Sequence, residues 1–164
     1  MVIRVATCLW LSVCFIPLPA RADLEQELSL AEAAIARGAY TQALDDYLGV
    51  LPQLAAATPP QREALLRGLL DVSRELVQRD RLEPALRGLV ALLAPTRDQP
   101  LGPDFSAEVR IELEEVCAGM IFRGEGQLAV APLQALMADG PGTPLRWAFL
   151  ARAYLDGREV DRAT

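Results

Sequence analysis

The chain has 164 residues, a formal net charge of −6, and 52% hydrophobic but only 5% aromatic residues. That is one domain's worth of sequence with an aliphatic core, and its negative sign opposes nucleic-acid or anionic-membrane binding, which needs clustered positive charge. Histidine and asparagine are absent and every basic residue is arginine, which excludes a His-based triad, an H-E-x-x-H zinc site and N-glycosylation.

The N-terminus reads as a leader. Met1 to Arg4 is a short positive start, Val5 to Leu18 is apolar, and Ala20-Arg21-Ala22 is an A-x-A cleavage site before Asp23. The apolar stretch is shorter than the roughly 20 residues a membrane span needs. We expect export and cleavage after Ala22, with an uncleaved anchor as the alternative. Cys14 follows Val13 rather than the small residue that lipoprotein processing uses. Cleavage would remove Cys8 and Cys14 and leave Cys117 alone, so no internal disulfide is expected.

From residue 23 onward the apolar period is helical throughout. A first unit places Leu30, Ala31 and Ala34 on one helix and Ala43, Leu44 and Tyr47 on the next, with Gly38 in a tight turn between them. Thr58-Pro59-Pro60 reads as a loop. A second unit carries Leu69, Val72, Ser73 and Leu76, then Ala85, Leu89 and Leu92. The stretch Pro95 to Ser106, with Pro100, Gly102 and Pro103, reads as another loop. A third unit has Leu113, Val116, Cys117 and Met120, then Ala129, Leu133 and Leu136, with Gly124-Glu125-Gly126 in its turn. A fourth begins at Trp147.

That fourth unit is the most specific. Trp147-Ala-Phe-Leu150-Ala151-Arg-Ala-Tyr154, with Ala163 beyond it, reads W-x2-L-A-x2-Y-x8-A and resembles the tetratricopeptide repeat. The resemblance implies an all-α, right-handed solenoid of antiparallel helix hairpins over 23–164. Each hairpin buries its apolar face only by stacking on the next. The anchors Ala43, Ala85, Ala129 and Ala163 are 42, 44 and 34 residues apart. Only the last spacing equals the period of about 34, so the extra residues are expected in inter-repeat connections. Ala163 would lie in a second helix cut short, making the chain the N-terminal part of a longer protein. An irregular helical bundle is the alternative.

Chemistry is hard to find in this sequence. There is no phosphate-binding loop and no nucleophile elbow. Gly124-Glu125-Gly126 reads as a turn requiring positive φ. Glu112 and Glu115 share a helix face but lie in no apolar pocket, and read as solvated. Cys117 occupies a small-residue position and reads as a buried apolar residue. No cofactor or metal is expected. The reading is a binding scaffold rather than an enzyme.

In this family the first helix of each unit lines the concave side, which carries over to Glu25, Glu32, Arg67, Arg74, Glu114, Ile121, Phe122, Arg152 and Asp156. Arg67 and Arg74 are two turns apart, so both guanidinium groups leave one face and would clamp a carboxylate or an extended peptide. The asparagines of the carboxylate-clamp subclass are missing. Phe122 and Ile121 would offer an apolar contact or pack the turn. The binding residues expected are Arg67, Arg74, Phe122 and Arg152, and the partner expected is an envelope protein or peptide. By analogy with exporters whose periplasmic repeats precede a β-barrel, the reading is a periplasmic interaction scaffold. The alternative is a substrate-positioning domain of an exported cell-wall or peptide-processing enzyme.

Overall fold

The computed structural model describes residues 21–97, 101–138 and 143–163. Most of the leader expected over 1–22 lies outside the described residues. Seven α-helices follow in order: α1 (Arg21–Ala36), α2 (Tyr40–Val50), α3 (Pro59–Gln78), α4 (Leu82–Arg97), α5 (Pro103–Phe122), α6 (Gly126–Ala138) and α7 (Pro144–Ala163). A 3-10 segment, Leu51–Ala55, extends α2. Among the described residues there is no strand, and no helix is long and apolar enough to cross a membrane.

Helices pair along the chain: α1 with α2, α3 with α4, α5 with α6, and each pair with the next. The same turn closes all three pairs. Gly38, Asp80 and Gly124 have φ of 74°, 64° and 78°, each at the position five before an anchor alanine. At each turn the next residue's N–H reaches back to the first helix, Ala39 to the Ala34 carbonyl (2.9 Å), Arg81 to Leu76 (2.8 Å) and Glu125 to Met120 (2.9 Å). A second bond runs from Gly38 to Ile35, Asp80 to Val77 and Gly124 to Ile121. This is the paired Schellman closure, which needs a left-handed residue. Glycine supplies it twice; aspartate, tolerant of that region, supplies it once.

Close crossings explain the small residues. Ala31, Ser73 and Cys117 on the first helices, and Ala43, Ala85 and Ala129 on the second, are all fully buried. A small side chain at these points lets two helices approach while leucines fill the flanks. The core is correspondingly aliphatic, with Leu44, Leu65, Leu66, Leu69, Leu89, Leu92, Leu113, Leu133 and Leu136 shut from solvent.

Two expectations are corrected. The residues taken for loops are largely helix. Pro59 and Pro60 open α3 behind Thr58, whose N–H and hydroxyl both donate to Gln61 Oε1 at 3.0 and 2.9 Å. Pro103 opens α5, Pro95 lies in the last turn of α4, and Ser106 in α5 is buried with its hydroxyl on the Thr96 carbonyl at 2.9 Å. Proline lacks only an N–H that a first turn leaves unpaired anyway, so it starts helices well. The longer spacing therefore sits mainly in first helices: α3 and α5 begin ten residues before Leu69 and Leu113, whereas α7 begins three before Trp147. Secondly, α7 runs unbroken from Pro144 to Ala163, so Ala163 shares a helix with Trp147 rather than standing in a second one. No turn residue interrupts α7 where Gly38, Asp80 and Gly124 end their helices.

Candidate interaction surface

First helices touch one another as well as their own partners: α1 meets α3, α3 meets α5, and α5 meets α7. Their outer faces therefore form one continuous surface. Glu25 and Glu32 of α1 are exposed on it.

Arg67 and Arg74 leave the same face of α3, as their spacing requires, and both meet α5. Arg67 bonds Glu63 one turn back at 2.9 Å, with its guanidinium 5.9 Å from the Phe105 ring centroid. Arg74 forks between Glu108 (2.6 Å) and Glu112 (2.7 Å), with Asp71 at 3.9 Å. Burial works against the Arg74 charge, but its hydrogen bonds to Glu108 and Glu112 outweigh it and raise its pKa above the ordinary value. Arg74 is thus a strut between two first helices, using the fork geometry of arginine inside the chain. A matching strut joins Arg146 of α7 to Glu114 of α5.

At the far end, Arg152 is largely exposed and paired with Asp156 at 2.9 Å. Asp156 itself, expected on the open face, is buried against Gly126 at the start of α6. Ile121 packs inward, whereas Phe122 is 87% exposed. One helical step separates them: Ile121 points at the hairpin core and the next residue is rotated about 100° away.

Sequence reasoning did not anticipate the cleft between α5 and α7. Its volume is about 270 Å³, and Ile111, Glu114, Glu115, Ala118, Leu145 and Phe149 line it. The signal was present in the spacing: Ile111, Ala118 and Phe122 recur at helical intervals off the core stripe of α5. Leu145 and Ile111 are more than half exposed.

Trp147, Ala151 and Tyr154 lie on a different, outward face of α7. Trp147 is 58% and Tyr154 47% exposed, and Ala151 is exposed where Ala31, Ser73 and Cys117 are buried. The difference has a simple cause. Those three each lie under a second helix, and among the described residues none crosses α7 at Ala151.

The reactive groups are few. Cys117 is buried, and desolvation, aided by Glu114, pushes its thiol up to about 12. Asp45 pairs with Arg87 at 2.7 Å. Among the described residues no group of three or more Cys, Asp or Glu is placed to hold a metal ion.

Fold and surface together define an all-helical, repeat-like array with an exposed, mixed apolar and charged face. Comparison with protein families, with curated proteins and with solved structures finds no match.

Proposed function

We propose that this chain is a tetratricopeptide-like solenoid, exported to the bacterial envelope, whose first-helix surface holds a protein partner. The observation that carries the reading is the threefold recurrence of one local design. Each of three hairpins has a left-handed turn residue five before an anchor alanine, and a buried small residue on the facing helix. Such units stack indefinitely and leave their first helices side by side as a broad binding face. The exposure of Phe122, Ile111 and Leu145 on that face adds apolar surface where a soluble array has no structural use for it. The leader sequence supports export.

Site-specific photo-crosslinking in the cells that make the protein tests this. A crosslinker at Phe122 or Arg67 is expected to capture one discrete protein, while the same group at Val90, exposed on the second helix α4, captures none. Equal products at all three positions, or none at any, would overturn the scaffold reading. The intact mass of the mature chain checks export, with Asp23 expected as its first residue.

A further inference from the structure

The open face is not uniform, and its apolar part carries a sign. Ile111, Glu115, Ala118 and Phe122 follow one another at intervals of three or four along α5 and so share one side of the helix. Leu145 and Phe149, one turn apart on α7, face the same cleft. The α1 and α3 parts of the face present Glu25, Glu32, Asp71 and Arg67 instead, so exposed apolar surface is concentrated at the α5–α7 end.

The cleft has a volume of about 270 Å³ and lies open between two helices, with room for the apolar side chains of a peptide segment. Its two ionisable lining groups are both acids. Glu114 is neutralised by Arg146, whereas no ion pair among the described residues includes Glu115. Arg152, one turn beyond Phe149 on α7, is held by Asp156. An acidic occupant would set like charge against Glu115, and a purely apolar one would desolvate it without compensation.

Resting on the scaffold reading, we infer that this cleft receives a partner segment that inserts bulky apolar side chains between α5 and α7 and sets an arginine or lysine against Glu115. Apolar insertion supplies the affinity and the cation the choice of partner.

The test uses the full chain and three fluorescein-labelled peptides of equal length, built from leucine and arginine, leucine and glutamate, and serine and arginine in the same pattern. Fluorescence anisotropy is expected to show the leucine–arginine peptide bound at least roughly tenfold more tightly than either other. Ile111→Asp should abolish that preference. Glu115→Arg should transfer it to the leucine–glutamate peptide. Both positions are solvent-facing, and far-UV circular dichroism confirms that each variant is folded. Equal binding of all three peptides, binding indifferent to both substitutions, or no binding at all overturns the cleft assignment. Crosslinking at Arg67 and Phe122 separates the two ideas. A partner captured there without peptide discrimination keeps the scaffold and removes the cleft chemistry; no captured partner removes both.

Discussion

Gly88 sits where α4 crosses α3 and α2, and replacing it with alanine sets two effects of opposite sign against each other. In the interior of a helix the change gains about 1 kcal/mol of helix propensity. The added Cβ, however, would lie 2.3 Å from Ser73 Oγ and 2.8 Å from Leu44 Cδ1. Ser73 is fully buried and its hydroxyl donates to the Leu69 carbonyl at 2.8 Å. Swinging that hydroxyl aside breaks the bond and leaves a buried polar group unsatisfied, at about 1–3 kcal/mol. Displacing the Leu44 methyl adds part of the 1–3 kcal/mol typical of overpacking. Gly88→Ala should therefore destabilise the chain by roughly 1–3 kcal/mol. In a Ser73→Ala background the hydroxyl is gone and the same substitution should cost about 1–2 kcal/mol less, a coupling that a double-mutant cycle isolates. Urea unfolding followed by far-UV circular dichroism on the four variants measures it. If Gly88→Ala stabilises the wild-type chain by about its propensity gain, or acts equally in both backgrounds, the close crossing is refuted.

Asp80 holds a left-handed conformation with φ of 64°; Asp80→Gly should leave stability near wild type while Asp80→Val costs about 1–2 kcal/mol, by the same unfolding assay. Cys117, its pKa pushed up to about 12 by burial, should resist alkylation in the native chain at pH 8 and react fully in denaturant, with peptide mapping used to separate it from Cys8 and Cys14. Tyr47 is buried, and desolvation, then the charges of Glu32 and Asp71, raise its pKa above the ordinary 10.0. The unfolded phenol therefore releases its proton first. Tyr47 contributes stability that is complete below pH 10 and is lost as pH rises toward its folded pKa. Tyr47→Phe should make alkaline unfolding shallower above pH 10, and an unchanged slope would rule out this origin.

Much of the helical order was readable from local spacing, because a helix repeats its apolar face every three or four residues wherever it occurs. That period, with the turn glycines between its segments, placed Ala43, Ala85 and Ala129 at crossings, made Gly38 and Gly124 turn residues and buried Cys117; the open-face positions came from the family resemblance, which suited Phe122 but not Ile121 or Asp156, both buried. Composition alone set the acidic sign and removed histidine chemistry. Proline misled where it stands at a helix start: Thr58 and Gln61 around Pro59-Pro60 form the local capping pattern of a helix N-terminus, which the loop reading passed over, whereas Pro103 follows Gly102 with no side-chain cap to mark it. Asp80 gave no turn signal of its own, since its left-handed conformation is imposed by the closure of α3 onto α4.

The partners of the charged residues were decided only in three dimensions. Arg74 finds its carboxylates 34 and 38 residues away, on a helix whose distance and rotation no local pattern specifies. Asp156 is buried because Gly126 lets α6 and α7 close over it. The cleft beside Glu115 exists because α7 packs against α5 while leaving Ile111 and Leu145 more than half exposed. Sequence by itself determined which residues are apolar, small or charged and on which side of a helix they fall. Which of those sides meet, and which stay exposed, was settled by how the helices cross, since packing joins residues through space rather than along the chain.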